Sequence, residues 1–125
     1  MKLNVMFTIA AILLILLGIL ALFAPPALVG TTDVAAAFSG KLGGVSWLSL
    51  GVIAWLVRNA EASKTRDSVV LGYTLLFALW AVVSVYGSFL DMPTANISWI
   101  PALIQALLAV GFFMAGKASM STSAK

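Results

Sequence analysis

Arg58-Asn59-Ala60-Glu61-Ala62-Ser63-Lys64-Thr65-Arg66-Asp67 is the charged run at the midpoint of a 125-residue chain, and it carries three of the seven Lys and Arg residues. A long apolar region lies on each side of it. Its reading decides the fold: it is a polar loop between two membrane-embedded halves. The membrane side on which this loop sits then sets the orientation of every span.

Composition supports that reading. The chain is 62% hydrophobic and 9% charged. A soluble domain is closer to half apolar and about a quarter charged. A chain this short cannot hide the excess in a water-excluding core, so lipid must solvate it. The length allows one domain. Cys and His are both absent, which removes disulfides, thiolate-held clusters, His-held haem and the side chain that titrates near neutral pH. The net charge is +3, but the basic residues flank apolar spans. That pattern describes membrane orientation, and no nucleic-acid partner is expected.

Working outward, the sequence predicts four spans near residues 3–23, 41–57, 68–90 and 99–116. The expected fold class is all-α: an integral membrane protein of four antiparallel transmembrane helices in an up-down bundle. Residues 1–117 form the helical domain, and residues 118–125 a short polar C-terminal tail, expected to be disordered. The first span could also be read as a secretory signal peptide. It is longer than the h-region of such a peptide, and no clear small-residue cleavage site follows. Pro25 and Pro26 end it. Asp33 offers an N-cap ahead of Val34-Ala35-Ala36-Ala37-Phe38. Whether the helix it starts runs on into the second span is left open by Gly40, Gly43 and Gly44. Pro101 stands in the first turn of the fourth span, where proline is tolerated.

Counting basic residues gives the topology. Lys2, Arg58, Lys64, Arg66, Lys117 and Lys125 fall on one side of a four-span chain, and Lys41 alone falls on the other. The positive-inside rule then places both termini and the central loop in the cytoplasm. The loops holding Asp33 and Asp91 face outward. The expected location is the cell inner membrane.

Side chains that carry chemistry are scarce. No ionisable residue lies deep within a span, which argues against a proton-coupled transporter. No nucleotide-binding, zinc-protease or nucleophile-elbow motif occurs. No catalytic or metal-binding residue is nominated, and the chain is not expected to be an enzyme. Three outward polar residues are candidates for surface contacts: Asp33, Lys41 and Asp91. For Lys41, a snorkelling ammonium is weighed against an ion pair with either aspartate or a contact to a lipid phosphate.

Ligand-binding candidates are Trp80, Tyr86 and Gln105. With Tyr73 and Ser84, the two aromatic residues could line a pocket for a quinone, a pigment or a lipid. Against this, such rings more often serve packing or interface anchoring. Gln105 is read first as an interhelical hydrogen-bonding group on a face with Ala102, Ala106 and Ala109. Gly43, Trp47, Gly51 and Trp55 recur every four residues, so Gly43 and Gly51 are expected to admit a neighbouring helix closely. Gly40 and Gly44 form a second small-residue pair, and Gly72 and Ser84 add small residues to the third span.

One stretch carries a family resemblance. Phe38-Ser39-Gly40-Lys41-Leu42-Gly43-Gly44, followed by Leu48-Ser49-Leu50-Gly51-Val52-Ile53-Ala54-Trp55-Leu56-Val57-Arg58-Asn59-Ala60, resembles DoxX-like and related uncharacterised small four-span bacterial membrane proteins. Those tend to open the second helix with a basic residue and glycines and to close it with a Trp and a basic cluster. The resemblance covers about a fifth of the chain. It implies a small subunit of a quinone-linked oxidoreductase, or a protein of no assigned activity; this chain offers no redox ligand of its own. The functional expectation is a non-catalytic membrane subunit that packs against other membrane proteins, or against copies of itself, and against lipids. The alternative is a DoxX-like small subunit or a binder of an apolar ligand such as a quinone.

Overall fold

The computed structural model describes residues 2–23, 33–89 and 99–123, with side chains described through Met120. It is all-α, as expected: α1 (Leu3–Phe23), α2 (Val34–Val57), α3 (Lys64–Gly87) and α4 (Trp99–Ser123), with no strand among the described residues. All four helices are long and apolar enough to cross a membrane. The 21 residues of α1 rise about 31 Å at roughly 1.5 Å each, which matches a hydrocarbon core of about 30 Å.

Apolar side chains cover the helices all round. Leu16, Leu20, Leu79 and Phe113 are exposed, while Phe7, Leu14, Phe77 and Phe112 are fully buried. A helix that is apolar on every face is a membrane span or a deeply buried helix. So much exposed apolar surface on the four described helices fits lipid as the solvent.

Several hydroxyl groups within the helices are satisfied by their own helix. Ser46 Oγ donates to the Leu42 carbonyl at 3.2 Å, Ser49 Oγ to Val45 at 2.8 Å and Thr74 Oγ1 to Val70 at 2.9 Å. Each spares a hydroxyl the cost of facing hydrocarbon bare.

Helix starts follow from capping. Asp33, with extended backbone, accepts from the Ala35 N–H at 3.2 Å and so caps α2. That helix continues without a break through Gly40, Gly43 and Gly44 to Val57, which settles the continuity left open by the sequence. Ser63 caps α3 by accepting from the Arg66 N–H at 3.1 Å. The third helix therefore begins at Lys64, inside the charged run, and ends at Gly87. At the other end of the chain, α4 runs on to Ser123, so the first residues of the expected disordered tail are helical. Pro25, Pro26 and Asp91 lie outside the described residues.

Contacts divide the chain into two units, Phe7–Arg58 and the remainder. In the first, α1 and α2 run antiparallel on glycine. A Cβ built on Gly18 would lie 2.7 Å from the Leu48 backbone N, and one on Gly44 would lie 3.0 Å from the Gly18 carbonyl oxygen. Nearer the other end of the pair, a Cβ on Gly51 would lie 2.9 Å from the Ile15 backbone N. Backbones this close are how helices associate in lipid, where burial gives no hydrophobic gain.

The second unit pairs α3 with α4, also antiparallel. Tyr73 and Phe77 stack on Phe112 with ring centroids 5.5 and 5.9 Å away. Gly116 lies against Val70, and Gly111 against the Met6 thioether.

Candidate functional site

The α3–α4 pair holds all three residues nominated for ligand binding, Trp80, Tyr86 and Gln105. At its centre is the aromatic stack. Toward the end where α4 begins, Ser84 Oγ donates to Gln105 Oε1 at 2.9 Å across the helix interface. The antiparallel register places them together, in line with Phe77 opposite Phe112. An amide and a hydroxyl in a half-buried seam each have a strong reason to find a partner.

Beside this bond runs a groove of ≈ 510 Å³, lined by Ala81, Val82, Val85, Trp99, Ala102, Leu103 and Ala106. Alanines form its floor, because a methyl group leaves the space that a longer side chain would fill. Its walls offer almost no polar atoms, so it selects for apolar shape and not for a headgroup.

The nominated residues separate around this frame. Ala102 is buried, but Ala106 is exposed on the groove. Ala106 is therefore corrected from the Gln105 packing face to the outer surface: it follows Gln105 by one residue, about 100° round the helix. Trp80 is half-buried, with its ring 6.2 Å from that of Phe77. Tyr86 is 64% exposed. None of Trp80, Tyr86 and Gln105 lines the groove, so these three candidates do not converge there.

Gly43 is a second correction. A Cβ there would meet nothing within 4 Å, and the same holds for Gly40 and Gly72. The close face of α2 runs through Gly44, Gly51 and Ala54, all buried. Four-residue steps from Gly43 to Gly51 accumulate about 80° of rotation, whereas the seven from Gly44 to Gly51 drift only about 20°. Trp55 stands away from that face and is exposed, with the Arg58 guanidinium carbon 3.3 Å from its ring centroid. This cation–π contact folds the basic end of α2 back along its own helix.

At the other end of the α3–α4 pair sits a polar clamp that the sequence reading missed. Arg66 donates from Nη2 to Ser119 Oγ and from Nη1 to the Ala60 carbonyl at 3.5 Å, and its Nη2 lies 3.7 Å from Asp67 Oδ1. The Arg66 side chain is only 11% exposed. Its Nε and Arg58 Nη1 are buried nitrogens with no hydrogen-bond partner. Ser119 fell in the segment read as a tail, so nothing marked it as a helical residue facing α3. Lys64 and Lys117 are exposed at this same end.

Of the surface polar candidates, Asp33 is occupied in capping α2, and Lys41 is exposed two turns further on. Among the described residues, no group of three His, Cys, Asp or Glu side chains could hold a metal ion. No family model matches this chain, and no curated protein or solved structure does so either.

Proposed function

We propose that this protein is a non-catalytic subunit of a membrane assembly, and that a transmembrane helix of a partner seats in the alanine-floored groove of α3 and α4. The observation that carries this reading is the groove itself: an open apolar depression of ≈ 510 Å³ lined by Ala81, Ala102 and Ala106 among others. In lipid, two helices gain by fitting backbone and side chain closely, since tails are as apolar as leucine. A groove floored with methyl groups lets a second helix approach in that way. The partner is another membrane protein or a second copy of this chain. The basic asymmetry of the sequence supports an inner-membrane location with both termini in the cytoplasm.

The test is the size of the particle in membranes of the native source, solubilised in mild detergent. The wild-type chain should migrate in a complex, and Ala106→Trp, which fills the groove from an exposed position, should release it. A wild-type chain that is monomeric at every concentration and yields no crosslinked partner would refute the subunit role.

A second reading is favoured by the groove's volume, which lies within the roughly 300–1,000 Å³ of small-molecule sites. It is a binder of an apolar ligand such as a quinone or pigment, in keeping with the DoxX-like resemblance of the second helix. Organic extraction of the purified chain should then recover that ligand in a fixed ratio to protein, and Ala106→Trp should abolish it.

A further inference from the structure

We infer that Lys117 and the narrow groove beside it form a binding site for an anionic phospholipid. The groove lies at the Arg66 end of the α3–α4 pair. Val70, Leu71, Phe113 and Met120 wall it, Lys117 stands at its rim, and its volume is ≈ 160 Å³. That is below the roughly 300 Å³ at which small-molecule pockets begin, and it suits a length of acyl chain.

Polarity along the groove runs in the sense a phospholipid requires. Phe113 and Thr74, which also lines it, lie about one helical turn deeper than Lys117 and Val70. The Thr74 hydroxyl is committed to the Val70 carbonyl at 2.9 Å, so the deep part presents hydrocarbon. The outer part presents an ammonium. Lys117 is exposed, and its four-carbon stem can lie along the apolar wall while the charge reaches a phosphate.

Neighbouring charges add to the match. Asp67 is drawn to Arg66 at 3.7 Å, and Lys64, like Lys117, is exposed at this end. Lys64 opens α3, where the helix dipole is also positive. Gly116 contributes by its lack of a side chain: a Cβ there would stand 2.5 Å from Val70 Cγ1. The two helices therefore close beneath the groove and give it a floor.

This inference rests on the membrane reading and not on the partner. It is tested on the full chain in mild detergent by native mass spectrometry with phosphatidylglycerol and phosphatidylcholine of identical acyl chains. Phosphatidylglycerol should be retained preferentially. Lys117→Gln should weaken that retention about fivefold, as expected for one cation at a lipid surface, while Lys117→Arg should keep it. Leu71→Trp should lower retention by filling the groove, with helicity checked by circular dichroism. Equal retention of the two lipids, or unchanged retention in Lys117→Gln, would overturn the site, as would glycerol phosphate competing as well as the whole lipid. A chain that assembles with a partner but ignores lipid charge would sink this inference and leave the subunit reading standing.

Discussion

Gly51 of α2 lies so near Ile15 of α1 that a Cβ on the glycine would stand 2.7 Å from Ile15 Cγ1 and 2.9 Å from the Ile15 backbone N. The side-chain contact could be relieved by a rotamer change, but the backbone contact could not. Gly51→Ala should therefore separate the helices and cost about 1–3 kcal/mol, the usual range for overpacking. Gly43→Ala, with nothing within 4 Å, should leave stability unchanged or slightly raised, because Ala is the better helix former. Unfolding in a graded detergent series measures both. Equal losses for the two variants would show that the contact face is wrongly placed.

The bond from Ser84 to Gln105 invites a double-mutant cycle. Ser84→Ala, Gln105→Leu and the double variant should give a coupling near 0.6 kcal/mol, the average for interhelical hydrogen bonds in a membrane protein. A coupling of zero would mean that the two side chains are satisfied separately.

Arg66 should resist replacement by lysine. Its fork reaches Ser119, the Ala60 carbonyl and Asp67 together, and a single ammonium lacks that geometry. Arg66→Lys should lower the melting temperature more than Lys64→Gln, whose side chain is exposed. Ser119→Ala should cost about 1 kcal/mol, as for one lost hydrogen bond. If Arg66→Lys melts like the wild type, the clamp contributes nothing to stability.

Orientation is checked with topology reporters. Fusions after Lys125 and within the loop at Ser63 should report the cytoplasm, and an insertion at Thr94 should report the opposite side. A cytoplasmic signal from Thr94 would rule out four crossings.

The sequence by itself determined the four helices and the lipid environment they require. Hydropathy summed over some twenty residues is a local property, and it does not depend on which helix lies next to which. Asp33 as an N-cap was legible for the same reason, since a cap needs only its own first turn. Which glycines carry the packing was decided by tertiary structure. Gly40, Gly43, Gly44 and Gly51 are equivalent as letters, and a small rotation of α2 chooses among them; only the presence of α1 at Gly44 and Gly51 shows which way it turned. The Ser84–Gln105 pair, the Arg66–Ser119 clamp and both grooves were hidden in the same way. Each joins residues far apart in the chain, and their meeting depends on the antiparallel register of α3 and α4. In lipid that register comes from close steric fit, because apolar burial alone gives one helix face little advantage over another.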